Sequence, residues 1–87
     1  PATLRLDVAA PAPGEAYLAF GQAPAHSAPV LNLSETGDLR EAARNLFSHL
    51  AQLDASGAHS ISVAPIPQTG LGEAINDRLE RAAAPRG

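Results

Sequence analysis

The residues best placed to do chemistry are Thr69-Gly-Leu-Gly72, set between a proline-bounded turn (Pro65-Ile-Pro67) and a helical run. Glycines let backbone N–H groups approach a phosphate, and a helix N-terminus is electropositive, so this is a fitting context for an anion site. The segment lacks the Lys of a phosphate loop and the third glycine of a dinucleotide fingerprint. The other reading is geometric: glycine permits a sharp strand-to-helix turn and close packing of the helix. Asn76, Asp77 and Arg78 follow consecutively. They span a wide arc of a helix and cannot converge on one small ligand. Asn76, beside Ile75, is suited to hold loop backbone with its amide. Arg78 can pair with Glu73 or Asp77, or reach across to another domain. Asn45 is a poor helix former lying beside the apolar stripe of an earlier helix. That position points to a buried hydrogen bond to a neighbouring loop, with ligand contact as the alternative.

Other chemistries find no support. Ser34, Ser48, Ser56, Ser60 and Ser62 lack a glycine-framed elbow and have no suitably placed His or Asp in sequence. Asp38 and Glu41 fall at a helix start, where the helix dipole accounts for them. His26, His49 and His59 do not have metal-ligand spacing. The absence of Cys removes disulfide and thiol chemistry. The net charge of −3 argues against a nucleic-acid surface. Arg78, Arg81 and Arg86 leave room for a small basic C-terminal face, read here as solvated. No apolar run has membrane-spanning length and no signal peptide is visible. Taken alone, the residues describe a chain that is not an enzyme.

The elements that must position these residues follow from patterning. Its 87 residues make one domain with a thin, alanine-rich core. Leu18, Phe20, Leu31, Leu33, Leu46, Phe47, Leu50, Ile61, Ile66, Ile75 and Leu79 are the expected large core residues. Residues 3–8 alternate as a half-exposed edge strand, and 16–20 form an apolar run suited to a buried parallel strand. Further strands are expected at 30–33 and 60–64. A helix is expected over 38–55, with apolar residues at 39, 42, 43, 46, 47, 50, 51 and 53, ending at Gly57. A second runs over about 71–84, with Leu71, Ile75, Leu79 and Ala82 or Ala83 facing inward, and stops at Pro85-Arg-Gly87. Residues 30–64 read as a strand–helix–strand unit with parallel strands and a right-handed crossover. The fold class is α/β: a small layer structure with about four mainly parallel strands and two principal helices. The order of the first two strands is left open, because no helix lies between them.

Several blocks then combine. Asn32-Leu-Ser34, Gly37-Asp38-Leu39, Glu41-Ala-Ala-Arg-Asn-Leu-Phe47, Leu53-Asp54 and Gly70-Leu-Gly-Glu-Ala-Ile-Asn-Asp-Arg-Leu-Glu-Arg-Ala-Ala83 resemble the C-terminal domain of two-domain threonylcarbamoyl-AMP synthases. The resemblance covers roughly residues 29–86 and extends more loosely to Leu18-Ala-Phe-Gly21. It implies a Rossmann-like accessory domain, excised from a longer chain and joined by a linker to a YrdC-type catalytic domain of the same polypeptide. The parent enzyme would make threonylcarbamoyl-adenylate from L-threonine, bicarbonate and ATP, with Mg, in the cytoplasm, for threonylcarbamoyladenosine modification of tRNA. This chain itself would carry no catalytic residue or cofactor and contact neither nucleic acid nor membrane. Asn45, Asp54, Gly70, Gly72, Asn76, Asp77 and Arg78 match family-typical positions, with Gly70, Gly72, Asn76, Arg78 and Asn45 as candidate docking or ligand contacts. The resemblance leaves two alternatives to a docking role: a small-molecule sensor for nucleotide or threonine, and a purely structural module. Residues 8–15 are too few to hold the helix that longer members carry between their first two strands, which puts a complete three-layer sandwich in doubt.

Overall fold

A computed structural model describes residues 2–84 of the chain. Four strands and two helices follow in order: β1 (Thr3–Arg5), β2 (Ala16–Ala19), β3 (Val30–Asn32), α1 (Leu39–Ala55), β4 (Ser60–Val63) and α2 (Leu71–Ala83). The strands form one sheet in the order β1-β4-β2-β3. Every pairing is parallel, with Leu4 opposite Ile61, Ala16 opposite Ile61, and Leu18 opposite Leu31. The α/β class and the parallel sheet are therefore as the sequence predicts, and β1 lies at an edge. The open question of strand order is resolved by β4, which inserts between β1 and β2. Pro1, the expected helix stop at 85–87 and Arg86 lie outside the described residues.

The period of two along each strand divides the interior into two clusters. Ala16, Leu18, Ile61 and Val63 point to one face, where they meet Leu46, Leu53, Ile75 and Leu79 of the helices. Tyr17, Ala19 and Ala64 form a smaller cluster on the other face, with Phe20 and Val30 packed beside it. No helix covers this second face among the described residues. The connection between β1 and β2 lies over it instead. Asp7 takes a left-handed conformation (φ 62°), one that Asp tolerates better than most residues. The next residue's N–H bonds the Val63 carbonyl at 2.8 Å. The Tyr17 hydroxyl then donates to backbone carbonyls of this connection, at 2.8 Å to Val8 and 3.2 Å to Ala9. A short strap lies on this face, fastened by the Val8 N–H and by the Tyr17 phenol.

Helix α1 starts at Asp38, whose side chain accepts the Arg40 N–H at 2.9 Å, which satisfies a donor that the helix leaves free. It ends at Ser56, whose hydroxyl donates to the Leu53 carbonyl, followed by Gly57 at φ 86°. Two parts of the expected core differ. Phe47 is 61% exposed and Leu71 45% exposed. The apolar stripe of α1 is wider than the surface that sheet and α2 can cover, so Phe47 falls beyond the edge of the contact. Leu71 lies in the first turn of α2, where Gly72 takes the inward place. Leu53 and Val63, absent from the expected list, are almost fully buried.

These burials set contrasting costs. Leu53→Ala should destabilise the chain by about 3 kcal/mol, from lost apolar transfer and a residual cavity. Phe47→Ala should cost less than about 1 kcal/mol, because the ring is already in water. Urea denaturation of the two variants measures both.

Candidate functional site

The turn before α2 explains its two glycines separately. Gly72 donates its N–H to the Thr69 carbonyl at 2.9 Å, closing a four-residue turn. Gly70, at the first central position, has φ 54° and ψ −128°. That is the geometry of a type II′ turn, where glycine avoids the steric penalty of a side chain. Gly72 has ordinary φ but no space: a Cβ there would lie 1.8 Å from the Pro67 carbonyl oxygen. The Asn76 amide fixes the same loop, donating to the carbonyls of Ile66 at 2.9 Å and Gly72 at 2.9 Å.

This geometry is poorly suited to a phosphate. The N–H groups of Gly72 and Glu73 are engaged by the Thr69 and Gly70 carbonyls. The adjacent surface depression, about 440 Å³, is lined by Gln68, Gly70, Glu73, Ala74, Asp77 and Glu80. Its three carboxylates oppose an anion, whatever the helix dipole contributes.

At the carboxyl ends of β2 and β3, polar groups bind one another. Asn32 donates to the Gly21 carbonyl at 2.7 Å and accepts the Ser34 N–H at 3.0 Å. The buried Ser34 hydroxyl accepts the Asp38 N–H at 2.9 Å and donates to Glu41 at 2.5 Å. Asn45 donates to the Leu33 carbonyl at 3.0 Å, the loop contact that its place beside the stripe predicts. Asp54 accepts the Ala2 N–H at 2.9 Å and so anchors the entry to β1.

The helices meet solvent in a different way. The Arg78 guanidinium lies 4.6 Å from the centre of the Phe47 ring, a cation–π contact between α2 and α1. Asp77 pairs instead with Arg81, at 2.9 Å between exposed side chains. The expected pairing of Arg78 with Glu73 or Asp77 is thus replaced by stacking on an exposed aromatic. Gly70, Gly72 and Asn76 share the α2 turn, Asn45 serves the β3 loop, and Arg78 joins the interhelical seam. The five candidates occupy three places and do not surround one ligand.

The least expected polar centre is Glu15. Its carboxylate is buried and receives Arg5 twice, at 2.8 and 2.7 Å, together with the Ala12 N–H at 3.0 Å and the Ser60 hydroxyl at 2.5 Å. The Arg5 hydrogen bonds hold this carboxyl well below the usual carboxylate range, against the opposing effect of burial. The same pair raises the Arg5 pKa. His26 approaches the Glu15 backbone carbonyl at 2.6 Å, which assigns the proton to its Nε2. Pairing between Arg5 on β1 and Glu15, ten positions on and just before β2, leaves no periodic trace in the sequence.

The fold and these contacts define a small α/β domain whose inner polar groups mostly bind its own backbone. Among the described residues no group of three His, Cys, Asp or Glu could hold a metal, and no helix is long and apolar enough to cross a membrane. The family model for the threonylcarbamoyl-AMP synthase C-terminal domain matches residues 4–84. The chain belongs to that family, as its sequence blocks imply. No curated protein and no solved structure shows significant similarity to it.

Two substitutions test the structural roles. Gly72→Ala should cost more than about 2 kcal/mol, because the clash is with backbone that Asn76 holds in place; thermal unfolding beside Gly70→Ala checks it. Glu15→Gln should lower stability near pH 7 by about 2 kcal/mol, a figure reduced because Arg5 is half exposed. Glu15 has a depressed folded pKa, so its contribution is present above its ordinary value of 4.5 and declines as pH falls below it. The gap between wild type and variant, read by urea titration from pH 7 to pH 3, should therefore narrow in acid.

Proposed function

We propose that this chain is a non-catalytic accessory domain of an L-threonylcarbamoyladenylate synthase, in a cytoplasmic tRNA-modification route. In this reading it docks on a YrdC-type catalytic domain of the same polypeptide and helps order that domain's nucleotide site. ATP, Mg, threonine and bicarbonate are handled by the catalytic domain, a nucleotidyltransferase that releases pyrophosphate. The observation that carries the reading is the family match across residues 4–84, in a domain where Ser34, Asn45 and Asn76 are spent on its own fold. The net charge of −3 favours a protein partner over nucleic acid.

A second reading, ligand sensing, draws on a depression of about 490 Å³ at the carboxyl ends of β2 and β3, lined by Gly21, Gln22, Asn32 and Glu35 among others. Parallel sheets commonly bind ligands at that end. One of the two N–H donors of the Asn32 amide is given to the Gly21 carbonyl, and the other remains for a ligand.

Kinetics of the catalytic domain with and without this domain separate the readings. The isolated chain should release no pyrophosphate from ATP with threonine and bicarbonate. Joined to the catalytic domain, it should change kcat/KM for ATP several-fold, on the order of 1 kcal/mol in the transition state. Turnover by the isolated chain, or identical kinetics with and without it, would contradict the proposal. A rise in melting temperature of the isolated chain with ATP or threonine would support sensing instead.

A further inference from the structure

The interhelical seam carries an apolar surface and an unused cation side by side. Phe47 is one of three aromatic residues in the chain, and most of its ring is in water. Arg78 covers it without making an ion pair or side-chain hydrogen bond to any described residue. A guanidinium has five N–H donors in a planar fork that matches a carboxylate. Arg81 on the same rim is already matched by Asp77. Phe47, Leu50, Arg78, Arg81 and Ala82 line an open depression of about 350 Å³. A second, mainly apolar depression of about 290 Å³ shares Leu50 and Ala82 with it and continues to Leu4 and Ile61. The two together form a mainly apolar track with the Arg78 guanidinium at one end and Asp54, which holds the Ala2 N–H, at the other. The neighbouring depression on α2 is rimmed by Glu73, Asp77 and Glu80 and has the opposite charge.

We propose that this seam is the docking surface of the domain, and that its partner is a protein surface presenting an apolar side chain beside a carboxylate. The apolar side chain seats along Leu50 and Ala82, and the carboxylate takes the Arg78 fork while Phe47 holds that fork in plane. At the Arg78 end of the track, charge complementarity favours an acidic group over a basic one. The proposal rests on the docking reading above and specifies which face docks and what it recognises. Stacking on Phe47 restricts the side-chain freedom of Arg78 before binding, which lowers the ordering cost of the contact.

The test is titration of the isotope-labelled 87-residue chain with the separately produced YrdC-type catalytic domain, up to millimolar concentration because the linker's effective concentration is lost. Amide shifts are expected at Phe47, Leu50, Arg78 and Ala82. Arg78→Glu should weaken binding on the order of tenfold or more, as expected of a central arginine contact. Arg78→Lys should be intermediate, since it keeps the charge and loses the planar fork. Glu80→Gln, on the acidic side of α2, should bind as the wild type does. Retained amide dispersion shows that each variant is folded; should Arg78→Glu lose it, the Arg78→Lys result decides. Shifts confined elsewhere, with the Arg78 variants neutral, would overturn the seam while leaving the docking reading intact. No shifts at all would overturn both. Concentration-dependent self-association abolished by Phe47→Ser would assign the seam to a second copy and overturn the proposed partner.

Discussion

One buried carboxylate joins most of the sheet's separate pieces. Glu15 stands at the start of β2 and binds Arg5 from β1, Ser60 from β4 and the Ala12 backbone of the strap. β1 and β2 are not neighbours, because β4 lies between them. Backbone pairing alone therefore does not bring them together, and the connection between them must cross an uncovered sheet face. Glu15 supplies a charge that is stable in that position only while all three segments are in place. A buried carboxylate without its partners is heavily penalised. The ion pair thus ties strand order to the path of the strap, and Tyr17 extends that path by bonding its backbone further along.

The uneven covering of the sheet has consequences for the helices. Both lie on one face, so the large apolar residues concentrate there. The opposite face is served by Tyr17, Ala19 and Ala64 under a strap with no helix of its own. Two helices of 17 and 13 residues cross a sheet of short strands. They meet in the core near Leu46, Leu53, Ile75 and Leu79, and again at the surface, where Arg78 lies over the exposed Phe47 ring. Inner polar side chains such as Ser34, Asn45 and Asn76 satisfy backbone groups, and each is spent on the fold. Surface chemistry is left to the outer seam.

Most of the architecture was legible from sequence, for reasons visible in particular residues. The apolar run Ala16–Ala19 marked a strand buried on both faces, and alternation at Ile61 and Val63 marked another. The charge of Asp38 at the helix start and the left-handed cap at Gly57 bounded α1 in sequence, and the structure adds the Asp38 side-chain bond to the Arg40 N–H. Strand order was not legible, because β1 and β2 are linked by a strap without the periodicity that signals a crossover. Phe47 was misread because helical periodicity reports an apolar face and not how much of it a neighbour covers. Glu15 is not legible because a charge pair between a strand and the end of a loop has no sequence rhythm. At Thr69–Gly72 the residue types left anion binding and turn geometry both open. The engaged N–H groups and the Pro67 carbonyl against Gly72 favour the turn.

The central claim is that this domain works through its outer interhelical seam while its inner polar groups serve the fold. Hydrogen exchange compared between the isolated chain and the same domain joined to its catalytic partner tests this most directly. Extra protection is expected in α1 around residues 46–51 and in α2 around residues 78–82, with residues 20–37 and 65–72 unchanged. Protection that rises in those two loops, and not along the seam, would contradict it.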